Sequence, residues 1–468
     1  MPSRRDPDGD AGPGREQGSA LRRGLGTLDG AAVVVANVVG TGIFLTPAFI
    51  AERVPSTAGF LGLWVLGGVL AGIGALAYAE LSAMRPRAGG EYLYIREAFG
   101  PLAGFLSGWT SLVAGFSGAI AAAAVGFAVY LDRLVPGAGA AEPLVELAGV
   151  AGVGFTVSPR TLVALAVIGL FTAVHARGLG AGRVTQQLLA WLNVGTILLL
   201  VVLGLVGDAG TGASATASTG AGSSSGTDPG DVLVALVLVM FTYSGWNAAA
   251  YVAGEFRAPG RTLPRALLGG TAVVTVLYLA LNLLYVRVLG VDGVASAEAT
   301  GDRVVETLWG GTGAALFTPL VLLVLASSVS AMVLTGPRVY FAMAEDRCLP
   351  DAFGRVSRRG VPSFSIWAQA AWSAALVLTG GFEALLTYTG FAVVLFAGLG
   401  VAALFVLRRR RPDDERPFRA RGYPWAPALF VLAAAAMVTL SILRAPGPSL
   451  AGLALIALGA PVYARARR

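Results

Sequence analysis

The chain has no lysine, a single cysteine and a single histidine, and few charges of either sign. Cys348 alone excludes an intramolecular disulfide. With only His175 beside it, clusters of soft metal ligands and histidine-based catalytic triads are excluded too. No enzyme, no cofactor and no metal site is therefore expected. Charged residues make up 13% of the 468 and hydrophobic residues 55%, with a mean hydropathy of +0.72. A soluble domain would carry about a quarter charged residues, so little room is left for one. All 34 basic residues are arginine and the net charge is +7. They lie between apolar runs, which argues against a nucleic-acid partner. Residues 1–23 have no apolar core, so a cleaved signal peptide is not expected. Residues 1–24 read as a disordered cytoplasmic tail.

What the chain has in abundance is long apolar runs. Runs of about 18 residues or more mark helices that cross a bilayer. They fall near 28–50, 57–84, 99–131, 160–177, 184–207, 231–254, 264–289, 312–344, 363–380, 383–407, 424–443 and 447–464. The expected fold class is an all-α polytopic membrane protein with twelve transmembrane helices. With the N-terminus inside, 28 of the 34 arginines fall on inner segments, as the positive-inside rule requires. Both termini are expected in the cytoplasm and the protein in the plasma (inner) membrane. The Gly/Ser/Thr-rich stretch 208–230 reads as a flexible outer loop between helices 1–5 and 6–10. Helices 1–10 within residues 25–408 are expected to form the core, followed by a basic loop at 409–423. Residues 424–468 hold the last two helices and a short tail.

Two of the runs are interrupted near their middles. The first reads Val38-Val39-Gly40-Thr41-Gly42-Ile43-Phe44, the second Phe241-Thr242-Tyr243-Ser244-Gly245-Trp246-Asn247. Unwound backbone cannot be satisfied by lipid, so it must line a cavity or bind something polar. Paired interruptions in the two halves of a chain point to a transporter's substrate site and to a five-plus-five inverted repeat. A broken helix presents free N–H groups and partial positive charge at its new N-terminus. The N–H groups of Thr41, Gly42 and Ile43 are placed to take a carboxylate, and Gly40 and Gly42 permit close approach. The carbonyls of Val38, Val39, Phe241, Thr242 and Ser244 are candidates for an ammonium group. Gly245 supplies the second break. An anion site beside a cation site, with no fixed charge, suits a zwitterion such as an α-amino acid. Phe241 is a candidate gate over the substrate.

At these residues the chain resembles the amino acid–polyamine–organocation permease superfamily. The first break resembles its first-helix signature. The second, with Tyr251-Val252-Ala253-Gly254-Glu255 and Pro264-Arg265-Ala266, resembles helix 6 and the loop after it. Gly89-Gly90-Glu91-Tyr92 and Phe99-Gly100-Pro101 resemble the loop into helix 3. Leu334-Thr335-Gly336-Pro337-Arg338 resembles the end of helix 8, and Tyr388-Thr389-Gly390-Phe391 through Gly422-Tyr423-Pro424 resembles helix 10 and its loop. The subgroup is similar to the L-type amino acid transporter branch. The resemblance implies broken helices 1 and 6, alternating access, and substrate roles for Val38, Thr41, Gly42, Phe241 and Ser244. Asn193 falls where many relatives carry a helix 5 lysine, and it cannot titrate. It either forms a sodium site with Ser327, Ser328 and helix 1 carbonyls, or bonds the unwound backbone in a coupling-free exchanger or uniporter.

Small residues Gly115 and Ala119 are expected to face the pocket. No acidic residue lies mid-helix in helices 1, 3, 6, 8 or 10, so a neutral amino acid is the expected substrate, carried by exchange or symport. Glu80, Glu91, Glu255 and Arg338 either form ion pairs that close an inner gate or are solvated loop charges. A monomer or homodimer without an obligatory partner chain is expected. The rivals are a non-transporting amino acid sensor and a polyamine or cationic amino acid exchanger of the same fold.

Overall fold

The computed structural model describes residues 21–40, 42–147, 154–206, 228–297, 299–380, 382–444 and 446–466. The chain is mostly helical. The first apolar run forms α1 (Thr27–Val38) and α2 (Gly42–Arg53), bent by 50° across the break between them. α3 (Thr57–Met84) follows, started by the Ser56 hydroxyl, which accepts from the Gly59 N–H. A turn with positive φ at Gly89 and Gly90 leads to the short α4 (Glu91–Phe99). Pro101 occupies the first turn of α5 (Pro101–Thr110), where its missing N–H costs nothing. α5 continues through a π-helical turn, Ser111–Gly115, into α6 (Phe116–Leu131). A two-stranded antiparallel hairpin, β1 (Val145–Leu147) with β2 (Phe155–Val157), pairs Val145 with Val157. α7 (Pro159–Ala176) opens on a Ser158/Thr161 capping box, and α8 (Leu179–Val206) completes the first half.

The second half opens on α9 (Pro229–Thr242) and α10 (Ala248–Tyr251), separated by the turns of residues 243–247. α11 (Pro259–Ala295) and α12 (Thr300–Glu345) are long and kinked, at Gly290 and Gly310 respectively. α13 (Ser363–Thr379), α14 (Phe382–Arg410), α15 (Trp425–Arg444), α16 (Pro446–Ala457) and α17 (Gly459–Ala466) finish the chain. Among the described residues, nine helical stretches are long and apolar enough to cross a membrane, ten with the bent α1–α2 pair. A lipid solvent leaves the backbone no alternative to internal hydrogen bonds, which is why apolar length alone locates these helices.

α11 packs against both α3 and α1. Small residues set the spacing. A Cβ at Gly67 would lie 2.3 Å from Val239, and one at Gly74 would lie 2.6 Å from the Trp246 ring. These glycines let α3 press directly against the second break. Most of the N-terminal tail and of the 208–230 stretch lies outside the described residues.

Candidate functional site

The two breaks touch. Gly245 has φ +103°, and a Cβ there would fall 2.8 Å from the backbone carbonyl carbon and oxygen of Asn37. Only glycine meets both demands. A Cβ at Gly42 would meet Thr242 at 3.1 Å, and the hydroxyls of Thr46 and Thr242 share a 2.8 Å hydrogen bond. From α11, the Tyr278 hydroxyl donates to the Val38 carbonyl at 2.8 Å and lies 3.2 Å from that of Thr242. One fully buried side chain thus caps the carbonyl ends of both broken helices. The Phe241 carbonyl accepts from the Ser244 N–H at 3.0 Å.

Around the junction lies a cavity of about 290 Å³, at the small end of small-molecule sites (~300–1,000 Å³). Its wall includes Val38, Gly40 and Gly42 from the first break, and Phe241, Thr242, Ser244 and Gly245 from the second. Gly115 and Ala119 line it, as does Ser328. Ser328 stands beside the first break, its hydroxyl 3.6 Å from where a Gly40 Cβ would be. Phe241 reaches toward α14, 3.8 Å from a Cβ position at Gly390. Gly115 comes from the π-helical turn. The carbonyls of that turn find other donors: Tyr340 to Ser111 at 3.3 Å and Trp372 to Val113 at 2.9 Å. Such turns recur at functional sites because they re-aim the backbone.

Several expected residues sit elsewhere. Val39 and Ile43 are fully buried in the packed core and do not line the cavity. Asn193 and Ser327 are buried outside the wall, and their side-chain polar atoms meet no partner among the described residues. Thr41 lies outside the described residues. Glu255 and Arg338 form a fully buried pair, Nε to Oε1 at 2.7 Å, with Arg338 also donating to the Leu334 carbonyl at 2.6 Å. Glu80 takes Arg408 (2.9 Å), Arg416 (3.3 Å) and the Ala420 N–H (2.7 Å). Of the four charges weighed for an ion-paired gate, three are therefore paired. Glu91 is not, and it lines the cavity instead.

Glu91 begins α4. Its Oε2 accepts from the Tyr78 hydroxyl at 3.1 Å and from Asn247 Nδ2 at 3.4 Å, and Asn247 also donates to Tyr251 at 3.1 Å. Burial without a cation pushes the carboxyl up to about 7, although Tyr78 and Tyr251 stabilise the charged form. Among the described residues Glu91 is the one charged side chain on the cavity wall, and no basic one joins it. Asn37, Met332, Tyr251 and Phe430 complete surfaces that the sequence reading did not assign. Asn37 adjoins the first break, so proximity in sequence could have flagged it. Phe430 comes from α15, beyond the ten-helix core, and no local signal marks it.

Comparison with known proteins gives the same answer along the whole bundle. A family model described as "Amino acid permease" matches residues 25–460. The chain belongs to the amino acid permease family. This permease is a membrane transporter, not an enzyme. It is 28% identical over 449 residues to the mouse (Mus musculus) "Large neutral amino acids transporter small subunit 2", covering 95% of this chain and 81% of the relative. It is 27% identical over 434 residues to the mouse "b(0,+)-type amino acid transporter 1", covering 92% and 83%. It is 28% identical over 456 residues to the human (Homo sapiens) "Cystine/glutamate transporter", covering 96% and 86%. The L-type branch read from the motifs agrees with these relatives.

Proposed function

We propose that this permease moves neutral α-amino acids by alternating access around the two helix breaks. The observation that carries the reading is a cavity built at two touching breaks with, among the described residues, no basic side chain on its wall. A substrate carboxylate there has the α2 N-terminus to meet, whose first N–H groups lack intrahelical partners. Val38 and Thr242 carbonyls are already engaged by Tyr278, each with a lone pair left over. The remainder of the wall is mostly apolar, with Glu91 its one charged group among the described residues, and fits an uncharged side chain. A relative named for large neutral amino acids supports this choice.

In this reading the chain crosses the membrane twelve times. The broken α9–α10 segment and the 17-residue α13 (Ser363–Thr379) are added to the ten spans of sufficient apolar length. Both termini face the cytoplasm, and helices 1–5 and 6–10 form inverted halves. Two relatives, from mouse and rat, are named as a small subunit, which raises a larger partner. The single cysteine, Cys348, is buried against Tyr92, so any partner is held without a disulfide to the described bundle.

The test is uptake of labelled leucine, alanine and phenylalanine into liposomes carrying the purified protein. Lumens are left empty or preloaded with unlabelled substrate. Uptake only after preloading makes the protein an obligate exchanger, and uptake into empty liposomes makes it a uniporter or symporter. Binding without flux for all three would replace the reading with a sensor. Replacing Na⁺ by choline tests the Asn193, Ser327 and Ser328 group: unchanged uptake removes sodium from the scheme.

A further inference from the structure

Among the described residues, every arginine side chain that pairs with an acid at the N-terminal face of the bundle is committed to an acid other than Glu91. Arg85 holds Glu97 and Asp414, Arg96 holds Asp346, Arg338 holds Glu255, and Arg408 holds Glu80. Among the described residues Glu91 has no ion pair. The groups facing it are neutral: Tyr78 from α3, Asn247 and Tyr251 from the second break, and Tyr94 on its own helix. The α4 N-terminus favours the anion modestly. Burial without a counter-charge opposes it more strongly. The carboxyl therefore stands near neutrality in its readiness to ionise, at about 7.

We infer that Glu91 is the proton-binding site through which this permease couples substrate movement to a proton. The inference rests on the permease reading and adds the coupling ion to it. Glu91 sits where α4 meets the second break, and Gly89 (φ +117°) and Gly90 (φ +53°) immediately precede it. A Cβ at Gly90 would lie 2.5 Å from the Tyr251 ring, so the turn and the second break are pressed together. In this packing a neutral carboxyl is adequately bonded by Tyr78 and Asn247. An anion there has hydrogen-bond donors but no cation, and it stays desolvated until the turn separates from the break and water reaches it. Closure thus favours the protonated form, and opening releases the proton to the same solution as the substrate. By linkage, whatever raises proton affinity on closure makes protons favour closure to the same degree.

The experiment uses proteoliposomes with the voltage clamped by potassium and valinomycin. Uptake of labelled alanine, leucine and phenylalanine is compared with and without an acid-outside pH gradient, and counterflow exchange is measured alongside. The expected wild-type result is a several-fold stimulation by the gradient, with lumenal acidification, read by trapped pyranine, when substrate is added. In Glu91→Gln the ratio of uptake with and without the gradient should fall to about one, whereas Glu91→Asp should keep a response. Wild-type counterflow with neither gradient stimulation nor lumenal acidification overturns the proposal and leaves the permease intact. A Glu91→Gln ratio equal to wild type also overturns it. Absence of counterflow for every substrate removes the permease reading, and this inference with it. Should Glu91→Gln not fold, the wild-type pyranine signal and the Glu91→Asp ratio decide.

Discussion

Glu255 and Glu91 are both buried carboxylates at the N-terminal face of one bundle, and their surroundings are opposite. Glu255 faces the guanidinium of Arg338, itself completely enclosed. Glu91 faces two tyrosines and an asparagine. A fixed cation makes the first a fastener between the end of helix 6 and α12. Neutral donors leave the second able to exchange its proton within the physiological range. Burial alone does not say what a carboxylate does; the charge of its partner does.

The comparison can be broken at its strongest point first. Arg338→Ala leaves Glu255 buried and uncompensated, and should cost about 3–5 kcal/mol. Thermal unfolding in detergent should show a loss of that size, and a drop below about 1 kcal/mol would mean that water already reaches the pair.

Glu91→Gln should act on the pH dependence of stability. The folded-state value is raised from 4.5 to about 7. The folded protein then holds a proton that the unfolded chain has released. The resulting stabilisation is complete below 4.5 and is lost as pH rises through about 7, on the order of 3 kcal/mol in all. Melting temperatures taken at pH 5 and pH 8 should therefore fall in the wild type and converge in the variant. Parallel pH profiles would place water on Glu91 in the folded state.

Glu80 offers an intermediate case, since Arg408 shares it with Arg416 and the Ala420 N–H. Arg408→Ala should cost only ~1–2 kcal/mol by chemical denaturation, because two donors remain. A loss as large as that of Arg338→Ala would show that Arg416 cannot substitute. The smallest effect is expected from Tyr78→Phe, at about 1 kcal/mol. It removes a donor that favours the charged form of Glu91, so the midpoint of the pH profile should move upward. A downward movement would contradict the hydrogen bond as drawn.

The broken helices were legible because glycines interrupt runs that are otherwise long enough to span. Gly40, Gly42 and Gly245 do stand on the cavity wall, and Gly115, Ala119 and Ser328 join them. Val39 and Ile43 sat in the same short stretch but turn into the core. Sequence position cannot say which side of an unwound strand faces the void. Tyr278 was not legible at all, because it reaches the Val38 carbonyl across 240 residues of chain. Glu91 reads from the sequence either as part of an ion-paired gate or as a solvated loop charge, and in the fold it is buried with neutral partners. Tyr78 lies 13 residues away and Asn247 lies 156 away, and no local pattern announces that these neutral groups meet it.

By itself the sequence determined that this chain lives in a membrane, where its helices run and where two of them break. Those follow from solvent and local backbone bonding, since lipid forces each helix to satisfy its own N–H and C=O groups. Only the tertiary structure decided that the breaks interlock, that one tyrosine caps both, and that Glu80 and Glu255 are paired while Glu91 faces the cavity. These are matters of desolvation and distance between residues far apart in the chain, and a carboxylate's charge is set by what the fold brings beside it.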